Sequence, residues 1–140
     1  MGDLTARQSD VKTLLEEKGW ADEANFPEDL KKEVFIKHLN GPLFFGSTSE
    51  FQQLAKQIPK TASMVVIRMD RMQYLDQSGL YTLEDILIEL KNKAITVLFV
   101  HVLEQPKYMM ERVDLIPSLI PENQIFDDFE ACTNFIRSQR

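Results

Sequence analysis

At 140 residues, with 44% hydrophobic and 27% charged residues and a net charge of −6, the chain has the make-up of one soluble globular domain. No basic stripe is present to neutralise phosphates, which argues against nucleic-acid binding, and one cysteine, Cys132, excludes an internal disulfide framework. The longest apolar run, Ala94 to Leu103, is about half the length of a spanning helix, and the start lacks the apolar core of a signal peptide.

Residues 1–33 hold nine acids and five bases and read as a linker carrying one helix. Ser9 is placed to cap that helix, Val11, Leu14 and Leu15 are its apolar positions, and Gly19 ends it. Trp20 and Phe26 then stand among acids, which suggests that this segment packs on the domain or on a second copy. From Val34, "VFIKHLNGPLFFG" predicts two short strands joined by a turn at Asn40-Gly41. Ser47 to Glu50 is a capping box, followed by Phe51, Leu54 and Ile58 at helical spacing, with Pro59 as the stop.

"MVVIRM" reads as a mostly apolar strand, and "DQSGLYTLEDILIEL" begins shortly after it. Leu80, Leu83, Ile86, Leu87 and Leu90 fall on one helical face, and Lys91 and Lys93 at the end suit the helix dipole. "AITVLFVHVL" is apolar at nearly every position, as expected of a strand covered on both faces. Pro106 opens a further helix through Tyr108, Met109, Met110 and Val113, closed by Pro117. Ile125-Phe126 is a minimal strand, and Asp127 caps a last helix carrying Phe129, Cys132, Phe135 and Ile136. This alternation predicts an α/β fold over residues 34–140: a mostly parallel sheet, an antiparallel hairpin at its start and about four flanking helices. Loops with function gather at the carboxyl ends of such strands, where Asp76-Gln77-Ser78-Gly79 is expected.

A nucleophilic serine needs a base and an oxyanion hole. The two histidines, His38 and His101, read as plain strand residues, although the strand of His101 is expected beside the one before Ser78. The G-x-S-x-G elbow is absent, Asp76 and Leu80 standing where its glycines belong, so catalysis by Ser78 is disfavoured. No phosphate-cradling glycine loop and no metal-ligand spacing occur; Asp70 and Asp76 read as solvated turn residues. Two compatible readings of Ser78 remain: a helix cap supported by Gly79, and an acceptor for a phosphate that the helix dipole would favour.

Asp76-Gln77-Ser78-Gly79-Leu80 after an apolar strand, in this order of elements, resembles the STAS domain of anti-sigma factor antagonists and SulP-family anion permeases. "GPLFFG" (Gly41 to Gly46) and "LDQSGLYTLEDILIELKNKAITVLFVHV" resemble the SulP branch in particular, and the likeness covers about residues 34–138. In the antagonists the serine of D-x-S-G is phosphorylated by a partner kinase, a role that falls on Ser78, with Asp76, Gln77 and Gly79 as its supporting loop. In the SulP branch the domain is not an enzyme and needs no cofactor. It serves assembly, trafficking or regulation of a dimeric transporter of sulfate, bicarbonate or dicarboxylates. The resemblance therefore implies, as partners, the transmembrane domain of the same polypeptide, a second copy, and a cytoplasmic regulatory protein or kinase. It also implies a place on the cytoplasmic side of the inner membrane. Arg68 and Arg71 read as solvated surface residues, with contact to a phosphate or a transported anion as the alternative. A free-standing antagonist switched at Ser78 is the second functional reading.

Overall fold

Runs of β-branched and aromatic residues make the sheet. In the computed structural model, which describes residues 19–42 and 51–139, the strands are β1 (Val34–His38), β2 (Met64–Arg68), β3 (Thr96–Val100) and β4 (Ile125–Phe126). They pair in chain order β1-β2-β3-β4, all parallel, with His38 opposite Arg68 and Arg68 opposite Val100. The helices are α1 (Leu54–Gln57), α2 (Gln77–Asn92), α3 (Glu104–Arg112), α4 (Leu115–Ser118) and α5 (Phe129–Ser138). Among the described residues that is five helices against the four or so expected, because the stretch from Glu104 to Ser118 breaks in two. Residues 1–18, with the expected Ser9-capped helix, and 43–50, with the second hairpin strand and the capping box, lie outside the described residues.

Alternation along the strands divides the interior into two layers. Val65, Ile67 and Phe99 face the first, with Phe51, Leu54, Met110 and Leu115 and the α2 stripe of Leu80, Leu83, Ile86, Leu87 and Leu90. Each fully buried leucine of that stripe contributes about 1.5–3 kcal/mol relative to exposure, so α2 is held by its apolar face. Val34, Val66, Leu98 and Val100 face the second layer, covered by Phe129, Cys132 and Ile136 of α5 and by Phe26 and Leu30. Those last two belong to a strap, Trp20 to Leu30, made of two short 3-10 turns at Ala21–Glu23 and Glu28–Leu30. The segment around Trp20 and Phe26 thus packs on its own domain.

Several local expectations shift. Asp128 rather than Asp127 caps α5, accepting from the Ala131 amide at 2.8 Å. Leu103 precedes α3, so Pro106 sits within its first turn, and α3 ends at Arg112, before Pro117. The apolar run 94–103 forms a strand only over Thr96–Val100, since Ala94 and His101 adopt positive φ (60° and 56°) and bend the chain at each end.

Candidate functional site

The N-terminus of α2 lies beyond the carboxyl end of β2. Its cap is Asp76, not Ser78: Asp76 has extended backbone angles and its Oδ1 accepts from the Gly79 amide at 2.8 Å. Two cap-forming residues compete within three positions, and the first wins because the chain is already helical at Gln77. Ser78 occupies the second helical position. Its carbonyl accepts from the Thr82 hydroxyl at 3.1 Å, while its own hydroxyl makes no hydrogen bond to the described residues. Ser78 is half-buried and reachable from solvent. Gly79 is buried in the first turn, and exposed Gln77 donates to the Tyr81 hydroxyl at 2.7 Å.

The connection leading into this turn is fixed from α3. The side-chain amide of Gln105 accepts from the Leu75 amide at 2.8 Å and donates to the Leu75 carbonyl at 3.0 Å, pairing both backbone groups as a neighbouring strand would. Leu75 itself is buried. Hence the residue before Asp76 is pinned on both sides, while at the helix end Gln77 is exposed and Ser78 half-buried.

On the opposite face of the sheet, at the same edge, stands a feature that the sequence reading missed. Arg68 is buried and not a solvated surface residue. All five of its N–H donors are engaged. Nε and Nη2 donate to Asp70 at 3.2 and 2.8 Å, Nη2 to Asp22 at 2.8 Å, Nη1 to Glu23 at 3.0 Å, and Nη1 also to Asp22. Its guanidinium lies 4.7 Å from the Trp20 ring and 4.9 Å from that of Phe129. Burial opposes the charge, yet hydrogen bonds to Asp22, Asp70 and Glu23 outweigh it and raise the Arg68 pKa. The hydrogen bond from Arg68 in turn holds the Asp22 carboxyl below its usual range.

His38 shares this cluster. It is buried beside Glu23, whose two carboxylate oxygens lie 3.0 and 2.8 Å from its Nε2, and its ring is 4.6 Å from that of Trp20. His38 is therefore a buried strand residue in contact with a carboxylate rather than a plain one. His101, past the end of β3, is exposed, with Nδ1 3.8 Å from Asp70. Among the described residues, neither histidine hydrogen-bonds the Ser78 hydroxyl. Exposed Arg71 lies with Cζ 4.1 Å from the Trp20 ring, and its Nη1 donates to Asn40 at 3.4 Å. Among the described residues, no three His, Cys, Asp or Glu side chains are placed to share a metal ion. No described helix is long and apolar enough to cross a membrane.

Comparison with known proteins agrees with this architecture. The family model for the STAS domain matches residues 27–132. A sulfate transporter family protein from Wolinella succinogenes superimposes with a TM-score of 0.73 at 20% identity, over 88% of this chain and 97% of that one. The STAS domain of a SulP transporter from Vibrio cholerae gives 0.66 at 21%, over 77% and 84%. Murine solute carrier 26 family member A9, an anion transporter solved in its inward-facing state, gives 0.68 at 16%, over 76% of this chain but 18% of that chain. At such identities the likeness establishes the fold. No curated protein matches in sequence.

Proposed function

The chain belongs to the STAS domain family, and from that premise we propose that it is a non-catalytic regulatory and assembly domain of a SulP-type anion transporter. It acts by protein contact around Asp76 to Gly79, on the cytoplasmic side of the membrane. The observation that carries this reading is the Ser78 hydroxyl, left without a hydrogen bond to the described residues because Asp76 has taken the cap. An accessible, uncommitted hydroxyl in the first turn of a sixteen-residue helix suits a partner contact or a phosphate. Hydrolysis is the weaker reading, since among the described residues no histidine hydrogen-bonds Ser78: His38 contacts Glu23, and His101 lies near Asp70. The transmembrane domain of the same polypeptide, a second copy and a cytoplasmic regulator are the partners this reading names.

The parent reading frame is the direct test. Ten or so hydrophobic spans encoded upstream support the transporter reading; a frame that encodes the domain with none overturns it. The second reading, a free-standing antagonist switched at Ser78, draws on the same free hydroxyl. It requires a phosphate on Ser78, detectable as a mass shift on the intact domain with its kinase and absent from Ser78→Ala.

A further inference from the structure

The strap reads two neighbouring strand ends at once. Glu23 accepts from the Trp20 amide at 3.2 Å, lies 2.8 Å from His38 Nε2, and accepts from Arg68 at 3.0 Å. His38 and Arg68 are register partners at the carboxyl ends of β1 and β2. Docking the strap thus brings Asp22 and Glu23 to an arginine that Asp70 already holds, so three carboxylates surround one guanidinium. We propose that the strap is a proton-sensitive latch: docking of Trp20 to Leu30 takes up a proton at His38 and so weakens as pH rises above neutrality.

The charges that the described residues bring to His38 set the expected sign. The strap presents Glu23 and, across Arg68, Asp22; β2 presents Arg68; the connection after it presents Asp70, with Arg71 against the Trp20 ring. From α5 come the Phe129 ring and, near Arg68, the Cys132 thiol, which burial pushes up to about 12 and keeps neutral. Among the described residues His101 comes within 3.8 Å of Asp70. Burial and Arg68 oppose a charge on His38. Against them stand an ionised carboxylate in direct contact and a local excess of acids whose one buried guanidinium is divided three ways. With the strap released, His38 loses the Glu23 carboxylate, and the reference for it is then the ordinary histidine value of about 6.5. A proton held more tightly in the docked state adds docking stability that is complete below that value. It is lost as pH rises through the docked value. The inference stands on the strap geometry and holds whether or not a membrane domain precedes the chain.

The test is amide hydrogen exchange on the intact chain from about pH 5.5 to about 8.5. Strap protection factors are taken relative to those of β2, with Trp20, the single tryptophan, as a fluorescent reporter of docking. Relative protection should fall with rising pH, up to about tenfold for each pKa unit that docking adds at His38. Because the chain has two histidines, His38→Gln should flatten the profile while His101→Gln keeps it. A flat wild-type profile, or a slope that survives His38→Gln, overturns the proposal. Should His38→Gln fail to fold, NMR titration of the His38 ring in the unaltered protein decides. A midpoint above about 6.5 supports the latch, and one at or below it overturns it.

Discussion

Replacing Arg68 with methionine keeps much of the side-chain volume and removes the charge, and its cost can be worked from the partners left behind. Asp22 has a side chain 51% exposed and regains water, so its link contributes at most about 1 kcal/mol. Asp70, at 22%, rehydrates in part. Glu23, at 5%, cannot, and keeps only His38 and the Trp20 amide. Breaking a buried pair from one side costs about 3–5 kcal/mol, and most of that loss is assigned to stranded Glu23. With a urea slope of about 2 kcal/mol per molar, the denaturation midpoint should drop by roughly 2 M, read from Trp20 fluorescence. Adding Glu23→Gln to Arg68→Met should recover about half the loss, since the neutral amide no longer demands a cation. A loss below about 1 kcal/mol for Arg68→Met, or strictly additive costs in the double variant, would refute the assignment.

Three further outcomes follow from named contacts. Asp76→Ala should cost about 1 kcal/mol and Ser78→Ala under about 0.5 kcal/mol in urea denaturation, the reverse order indicating that Ser78 is the cap. Because the hydrogen bond from Arg68 lowers the Asp22 pKa, the stability Asp22 contributes is complete above about pH 4. It disappears as pH falls through the lowered folded value, so Asp22→Asn should show a shallower acid limb than wild type in pH-dependent melting. Burial pushes the Cys132 thiol up to about 12. At pH 8 native Cys132 should react with an aromatic disulfide on the order of a thousandfold more slowly than a free cysteine, and denaturant should abolish the difference.

Periodicity made much of this fold legible. The leucine stripe of α2 and the doubly covered β3 are buried as their spacing requires, because each pattern is satisfied within one element. The Ser78 loop was also legible, being a local strand-to-helix junction. What could not be read was the partner of Arg68, forty-five and forty-six residues away in Glu23 and Asp22. A signal did exist: Arg68 is in phase with Met64 and Val66 on β2, which places it on a covered face, and a buried guanidinium demands carboxylates. His101 was obscured for a different reason, since an apolar run carries no mark of the positive φ that ends its strand. The identity of the α2 cap turned on which of two cap-formers, two positions apart, stood outside the helix, a difference that propensity does not resolve.

The central claim is that this domain regulates by contact at the α2 N-terminus, and Ser78→Asp in the full-length polypeptide tests it. Anion uptake is measured in membranes where expression and the domain's urea midpoint match wild type, with Ser78→Ala alongside. The account predicts uptake altered at least several-fold by the aspartate with folding unchanged. Uptake identical in all three proteins would contradict it.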